Sequence, residues 1–248
     1  MSNAREPHAV VSRADWLKAR RALLAKEKAH TRALDALNAE RLALPWVKLD
    51  KDYVFDTPAG KKTLSELFDG RSQLIVYHFM FGPDWDAGCP GCSFMADHLD
   101  GPLPHLNHHD VTLVAVSRAP LEKIQAYQRR MGWRFPWVSS FASDFNYDFH
   151  VSFSPADLAG ETVNYDYEDI PAAQGNDELP GLSAFHRDAD GQVFHTYSTY
   201  ARGAEELLGT MMILDRAPLG RNENATMDFV RRHDEYEDAP RSGCCSAA

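Results

Sequence analysis

Cysteine is scarce in this chain: four in 248 residues, at positions 89, 92, 244 and 245. So few thiols in so long a chain do not make a disulfide framework, and the N-terminal "MSNAREPHAVVSRADW" has no apolar stretch of the kind that directs secretion. No run approaches the roughly 18 uninterrupted apolar residues of a membrane span. A cytoplasmic protein with no membrane partner is the expectation. Positive charge is also in short supply. With 26 Lys and Arg against 36 Asp and Glu the formal charge is -10, and no dense basic stripe is present. That excludes nucleic acid as the expected partner. No internal repeat is visible. What remains is 44% hydrophobic and 25% charged, an ordinary globular composition.

The residues from Ser12 to about Leu44 are rich in Ala, Leu, Lys, Arg and Glu, with no Gly or Pro, and Ser12 and Asp15 sit as a capping pair. This predicts one long helix ended by Pro45. Trp16, Leu23, Leu37 and Leu44 recur at multiples of seven, but His30, Lys26 and Glu40 break the pattern of a coiled coil. An apolar stripe on so long a helix calls for burial, on the domain or in a homodimer.

"WVKL" and "YVF" read as a short edge hairpin, followed by the turn "DTPAG" and a short helix "TLSELF". "SQLIVYHFMF" is an apolar, β-branched and aromatic run, as in a strand buried on both faces. "CSFMADHLDG" then predicts a helix closed by Gly101, "VTLVAVSR" a second buried strand, and "PLEKIQAYQRRMG" a helix from Pro120 to Gly132. "FPWVSS" is a short strand and "SDFNYDFHVSF" holds a turn of helix. Residues 156–179 are polar without clear periodicity and read as an excursion loop. Two strands around Asp188 to Gly191 and a last helix "GAEELLGTMMILDRAP" follow. The expected organisation is a helical extension over 1–44, an α/β domain over 45–220, and a charged, mobile tail over 221–248.

Cys89 and Cys92 sit just past the first buried strand, at the start of a helix. Unpaired helix amides and the helix dipole favour a thiolate at the first cysteine, and the spacing lets the second attack a mixed disulfide. Pro90 suits the first helical position. Asp84, Asp86 and Asp97 oppose this if they lie near the thiols. Two buried, inert thiols are the alternative, as is zinc held with His98, His105, His108 or His109. The spacing fits zinc poorly: the paired histidines are adjacent, whereas zinc fingers separate theirs by about three to five residues. Ser93 excludes the haem-attachment pattern. Cys244 and Cys245 read as a silent tail pair or a secondary dithiol.

The order β, α, β, α, β, β, α with Cys-Pro-x-Cys after the first central strand resembles the thioredoxin superfamily. "GRSQLIVYHFMFGPDWDAGCPGCSF", "VTLVAVSRAP", "MGWRFPWVSSFASDFNYDFHVSF", "LPGLSAFHRD" and "VFHTYSTYARG" resemble the bacterial thioredoxin-like proteins grouped as domain of unknown function 899, from about Val10 to Glu237. The resemblance implies a thioredoxin-like, peroxiredoxin-type mixed sheet flanked by helices. It also implies Cys89 as nucleophile, Cys92 as resolving thiol, and Pro180 as a cis-proline facing them. Pro90, Gly91 and Gly181 would border the substrate, with Trp85, in the loop, as a further contact. No cofactor is required: the partners are a disulfide- or peroxide-containing substrate and a thiol reductant. Peroxiredoxins carry a proline seven and a threonine three residues before their reactive cysteine. Gly82 and Asp86 stand there, which counts against peroxidase activity. The expectation is a thiol-disulfide oxidoreductase, with a peroxidase, a non-catalytic scaffold and a zinc site as the other readings.

Overall fold

A computed structural model describes residues 8–174 and 176–237. The chain divides into two units, Met1–Pro45 and Trp46–Ala248. The first is built on helix α1 (Arg13–Leu42), whose start is fixed as the sequence implies: the Ser12 hydroxyl accepts from the Asp15 amide at 3.1 Å. Its Trp16, Leu23 and Leu37 are exposed. No described helix is long and apolar enough to cross a membrane.

The second unit runs β1 (Val47–Lys48), β2 (Val54–Thr57), β3 (Gly60–Thr63), β4 (Gln73–His78), α2 (Pro90–Ala96), α3 (Leu103–His108), β5 (Val111–Ser117), α4 (Leu121–Met131) and β6 (Trp137–Ser139). After α5 (Phe145–Asp148) and α6 (Pro155–Leu158) come β7 (Thr162–Tyr165), β8 (Glu168–Pro171), β9 (Gly181–Arg187), β10 (Val193–Tyr200) and α7 (Gly209–Leu214). Eight strands form one mixed sheet in the order β1-β10-β9-β4-β5-β6-β2-β3. β4, β5 and β6 are parallel neighbours, β9 lies antiparallel to β4, and β10 antiparallel to β9. With α2 and α3 crossing from β4 to β5, and α4 from β5 to β6, this is the thioredoxin-like arrangement.

The central strands are apolar throughout because both faces are covered. Tyr77 and Ala115 point into one core with Phe94, Ile124 and Tyr127 of α2 and α4. Leu74, Val76, Val114 and Val116 point into the other, with Phe68, Phe145 and Phe149. Gly132 ends α4 at φ 68°, a left-handed conformation that glycine adopts without strain.

Several expectations need correction. "WVKL" and "YVF" do not pair with each other: β1 joins β10 at one edge, while β2 joins β6 and β3 near the other. Two-residue strands carry too little pattern to name a partner. The helix after the cysteines ends at Ala96, well before Gly101, and α3 follows it. Residues 156–179 are not a structureless loop, since β7 and β8 form their own hairpin with Val163 and Tyr165 buried. The last helix is broken at Leu208 into a 3-10 stretch, Ala201–Leu207, and α7. Part of the segment 221–237 packs on the domain, with Val230 buried and Met227 and Phe229 against the α2 core. Cys244 and Cys245 lie outside the described residues.

Candidate functional site

The chain leaves β4 at His78 and makes a loop pinned to its neighbours. Phe79 donates its amide to Val116 at 2.9 Å and accepts from the Ser117 hydroxyl at 2.6 Å, while Phe81 accepts from the Ala119 amide at 2.8 Å. Lys123 holds the carbonyls of Pro83 and Trp85 at 2.7 and 3.2 Å. Gly88 then passes so close to Phe79 and Tyr127 that a Cβ there would lie 2.6–2.8 Å from their rings. This close approach requires glycine.

Cys89 N-caps α2 with its amide on Met80 O at 3.1 Å, and Pro90 fills the first helical position. The Cys89 carbonyl accepts from the Ser93 amide at 2.9 Å and the Ser93 hydroxyl at 2.8 Å. With its one proton so used, Ser93 accepts from the Tyr127 hydroxyl, 2.8 Å away. Cys92 is 2% exposed, and its sulfur accepts the Met80 amide at 3.4 Å. Both thiols are free, Cys89 partly exposed and Cys92 buried.

The two sulfurs are electrostatically unlike. A hydrogen bond from Cys92 brings the Cys89 thiol down to about 6. The amides of Cys92 and Gly91 and the Arg232 guanidinium add to this, against the opposing effect of burial. Burial, and then the thiolate at Cys89, push Cys92 well up. The Tyr77 hydroxyl hydrogen-bonds the Cys92 sulfur, and burial raises that phenol too. At neutral pH the arrangement offers an ionised, reachable sulfur beside a protonated, buried one, the division of labour that thiol exchange needs. Asp84 and Asp86 are exposed. Asp97 is engaged by Trp133 Nε1 at 2.8 Å and His233 Nδ1 at 2.6 Å.

A cavity of about 140 Å³ opens onto both sulfurs, with Gly91, Pro180 and Gly181 in its wall. Pro180 therefore faces the dithiol, but not as a cis-proline: among the described residues no peptide bond is cis. The turn is held instead by flanking hydrogen bonds. Leu179 N donates to Val151 O at 2.8 Å, and the Pro180 carbonyl accepts from the Tyr165 hydroxyl at 2.7 Å, which itself accepts from Ala201 N at 2.9 Å. Trp85 and Pro90 are not in the cavity wall. The Trp85 indole is turned to Asp177 Oδ2, 3.2 Å away, and Pro90 is exposed on the outer side of α2.

The histidines considered for zinc are elsewhere engaged or apart. His98 bonds Phe94 O through Nδ1 and accepts the Thr210 amide at Nε2, while His105 and His108 lie in α3, with His109 as its cap. Among the described residues no three His, Cys, Asp or Glu side chains gather as a metal site.

Residues 221–237 supply what the sequence reading missed. Arg232 donates to the Gly88 carbonyl through Nε at 3.0 Å and Nη2 at 2.7 Å, directly before Cys89. Met227 lies over Gly91, and Arg130 clamps Asp234 and Glu235 from α4. The available signal was the apolar trio Met227, Phe229 and Val230 inside an otherwise charged stretch.

The chain belongs to the family described as "Bacterial protein of unknown function (DUF899)", whose model matches residues 5–236. No curated protein matches it. Among solved structures, a cysteine-to-serine mutant of peroxiredoxin Q from Xanthomonas campestris is 17% identical, covering 64% of this chain and 90% of that one, with a TM-score of 0.42. A PrxQ mutant from Xylella fastidiosa is 14% identical over 68% and 94%, with a TM-score of 0.42. Peroxidoxin BcpB from Mycobacterium tuberculosis is 15% identical over 69% and 96%, at 0.38.

Proposed function

We propose that the protein is a thiol-disulfide oxidoreductase in which Cys89 is the nucleophile and Cys92 the resolving thiol. The observation that carries this reading is the placing of the two sulfurs on one cavity, Cys89 partly exposed at the start of α2 and Cys92 buried one turn on, which lowers the first thiol through its hydrogen bonds and Arg232 and raises the second through burial. The Cys89 thiolate attacks one sulfur of a substrate disulfide, forming a mixed disulfide and expelling a thiolate. Cys92 then gives up its proton and attacks Cys89, closing the Cys89–Cys92 disulfide and expelling the second thiolate. An external thiol reductant returns the pair to the dithiol. No step needs a bound cofactor.

The test is the trap. In a Cys244→Ser, Cys245→Ser background, a Cys92→Ser chain mixed with a disulfide is expected to accumulate an adduct on Cys89 that mass spectrometry locates, whereas Cys89→Ser forms none. An adduct on Cys92 in the Cys89→Ser chain, at the rate seen for Cys89, would overturn the assigned roles. Gly82 and Asp86, where a peroxidase carries proline and threonine, leave disulfides favoured over peroxides as the substrate.

A further inference from the structure

We propose that the disulfide exchanged at this site is a small apolar one, entering the cavity beside Cys89 whole, rather than the disulfide of a folded protein or a charged peptide. This rests on the redox reading above and deepens it.

Most of the cavity wall is thioether and hydrocarbon. Met80, Met95, Leu208, Met211, Met227 and Ala204 surround the dithiol. Four unbranched, polarisable side chains make a wall that adapts to the shape of an apolar guest. The charges that line it, Arg202 and Glu205, are already matched: Arg202 pairs with Glu205 at 2.6 Å, and Arg221 pairs with Glu205 and with Asp215 at 2.7 Å. A charged substrate would find no free counter-charge there and would lose its hydration on entry.

Size and roofing point the same way. An apolar cavity of roughly 150 Å³ holds benzene, about six heavy atoms, so 140 Å³ suits a disulfide with short alkyl arms. Met227 Cε and Cys89 Sγ lie 3.5 and 3.8 Å from the point that a Cβ on Gly91 would occupy. The reactive sulfur thus lies beside the segment 221–237, which roofs the cavity with Thr226 and Met227 and is tied down on both sides of them, by Arg221 on Glu205 and Asp215 and by Arg232 on the Gly88 carbonyl. The bulk of a folded partner would collide with that roof. Gly91, with no side chain of its own, lines the cavity beside that sulfur. In the exchange, Cys89 S⁻ displaces one alkanethiolate from the dialkyl disulfide. Cys92 then displaces the other, so the substrate gains two electrons and the dithiol loses them.

The experiment uses the full chain with Cys244→Ser and Cys245→Ser, so that only one pair can oxidise. The reduced protein is mixed with diethyl disulfide, cystamine or oxidised glutathione, and remaining thiols are counted with time. Each second-order rate is divided by that of free dithiothreitol with the same disulfide, which removes intrinsic reactivity. Cystamine is the decisive control: it is diethyl disulfide with two ammonium groups, and a chain of charge -10 would attract it. The normalised rate for diethyl disulfide is expected to exceed those for cystamine and oxidised glutathione by at least about tenfold. Met227→Ala, which opens the roof, is expected to shrink that ratio. Equal normalised rates, a faster charged disulfide, or a ratio untouched by Met227→Ala would overturn the inference while leaving the redox reading standing. Failure of every disulfide to oxidise the pair would remove the redox reading itself.

Discussion

Arg232 holds the carbonyl of Gly88 with two nitrogens, at 3.0 and 2.7 Å, and so fixes the residue immediately before the ionised sulfur from a segment almost 150 positions away in sequence. The contact does two things at once. It orients the start of α2, and it brings a guanidinium into the field of Cys89.

Replacing Arg232 by Gln is expected to raise the Cys89 pKa by about half a unit to one unit. The larger contributions, from Cys92 and the amides of α2, are untouched. Alkylation rate against pH measures it: the wild-type rate rises through about pH 6 and the variant's midpoint lies higher. Cys92→Ala removes the leading contribution and is expected to move the midpoint further than Arg232→Gln does.

A second prediction concerns the opposite face of the sheet. His78 is buried against Phe145 and Phe149, with Nε2 on Ser183 at 2.8 Å and Nδ1 without a partner. Burial, with His195 nearby, lowers it from 6.5 to about 3. Between those values the unfolded chain takes up a proton that the folded one refuses, so stability falls as pH drops from 6.5 towards 3, by up to about 1.4 kcal/mol per unit. Glu178 acts oppositely. Burial raises it to about 7 despite Arg118 at 3.2 Å, so its contribution is full below 4.5 and is lost as pH rises through 7. The two partly cancel between pH 4.5 and 6.5. Urea unfolding of Glu178→Gln at several pH values is expected to show a steeper acid loss than wild type.

Tyr165 ties the β7–β8 hairpin to the cavity wall through Pro180 O and Ala201 N. Tyr165→Phe leaves a donor and an acceptor without partners. It is expected to cost about 1–3 kcal/mol in urea unfolding, with the alkylation midpoint of Cys89 unchanged.

The central part of this site was legible in the sequence because it obeys strong local rules. A strand buried on both faces must read as "LIVYHF", and a proline after Cys89 marks the first helical turn. The rest depends on partners chosen at long range. Nothing within "WVKL" indicates that it pairs with β10 rather than with its neighbour. The hairpin over 162–171 sends only Val163, Tyr165 and, in part, Ile170 into the core, too few residues to show a period. Arg232 reads as one more charge in a solvated tail, and only the fold shows that the carbonyl it holds is the one before Cys89. Trp85 shows the converse: its place in the loop was right, but Asp177, out of sequence range, turns the ring elsewhere.

The central claim, that Cys89 and Cys92 form a reversible two-electron couple, is tested most directly by equilibrating the Cys244→Ser, Cys245→Ser chain across a series of glutathione redox ratios. Acid-quenched mass spectrometry then reads the state of the pair. The account predicts one transition, in which both thiols disappear together as an internal disulfide and return on reduction. Thiols that stay reduced at every ratio, or that take up glutathione one by one without closing a Cys89–Cys92 bond, would contradict it.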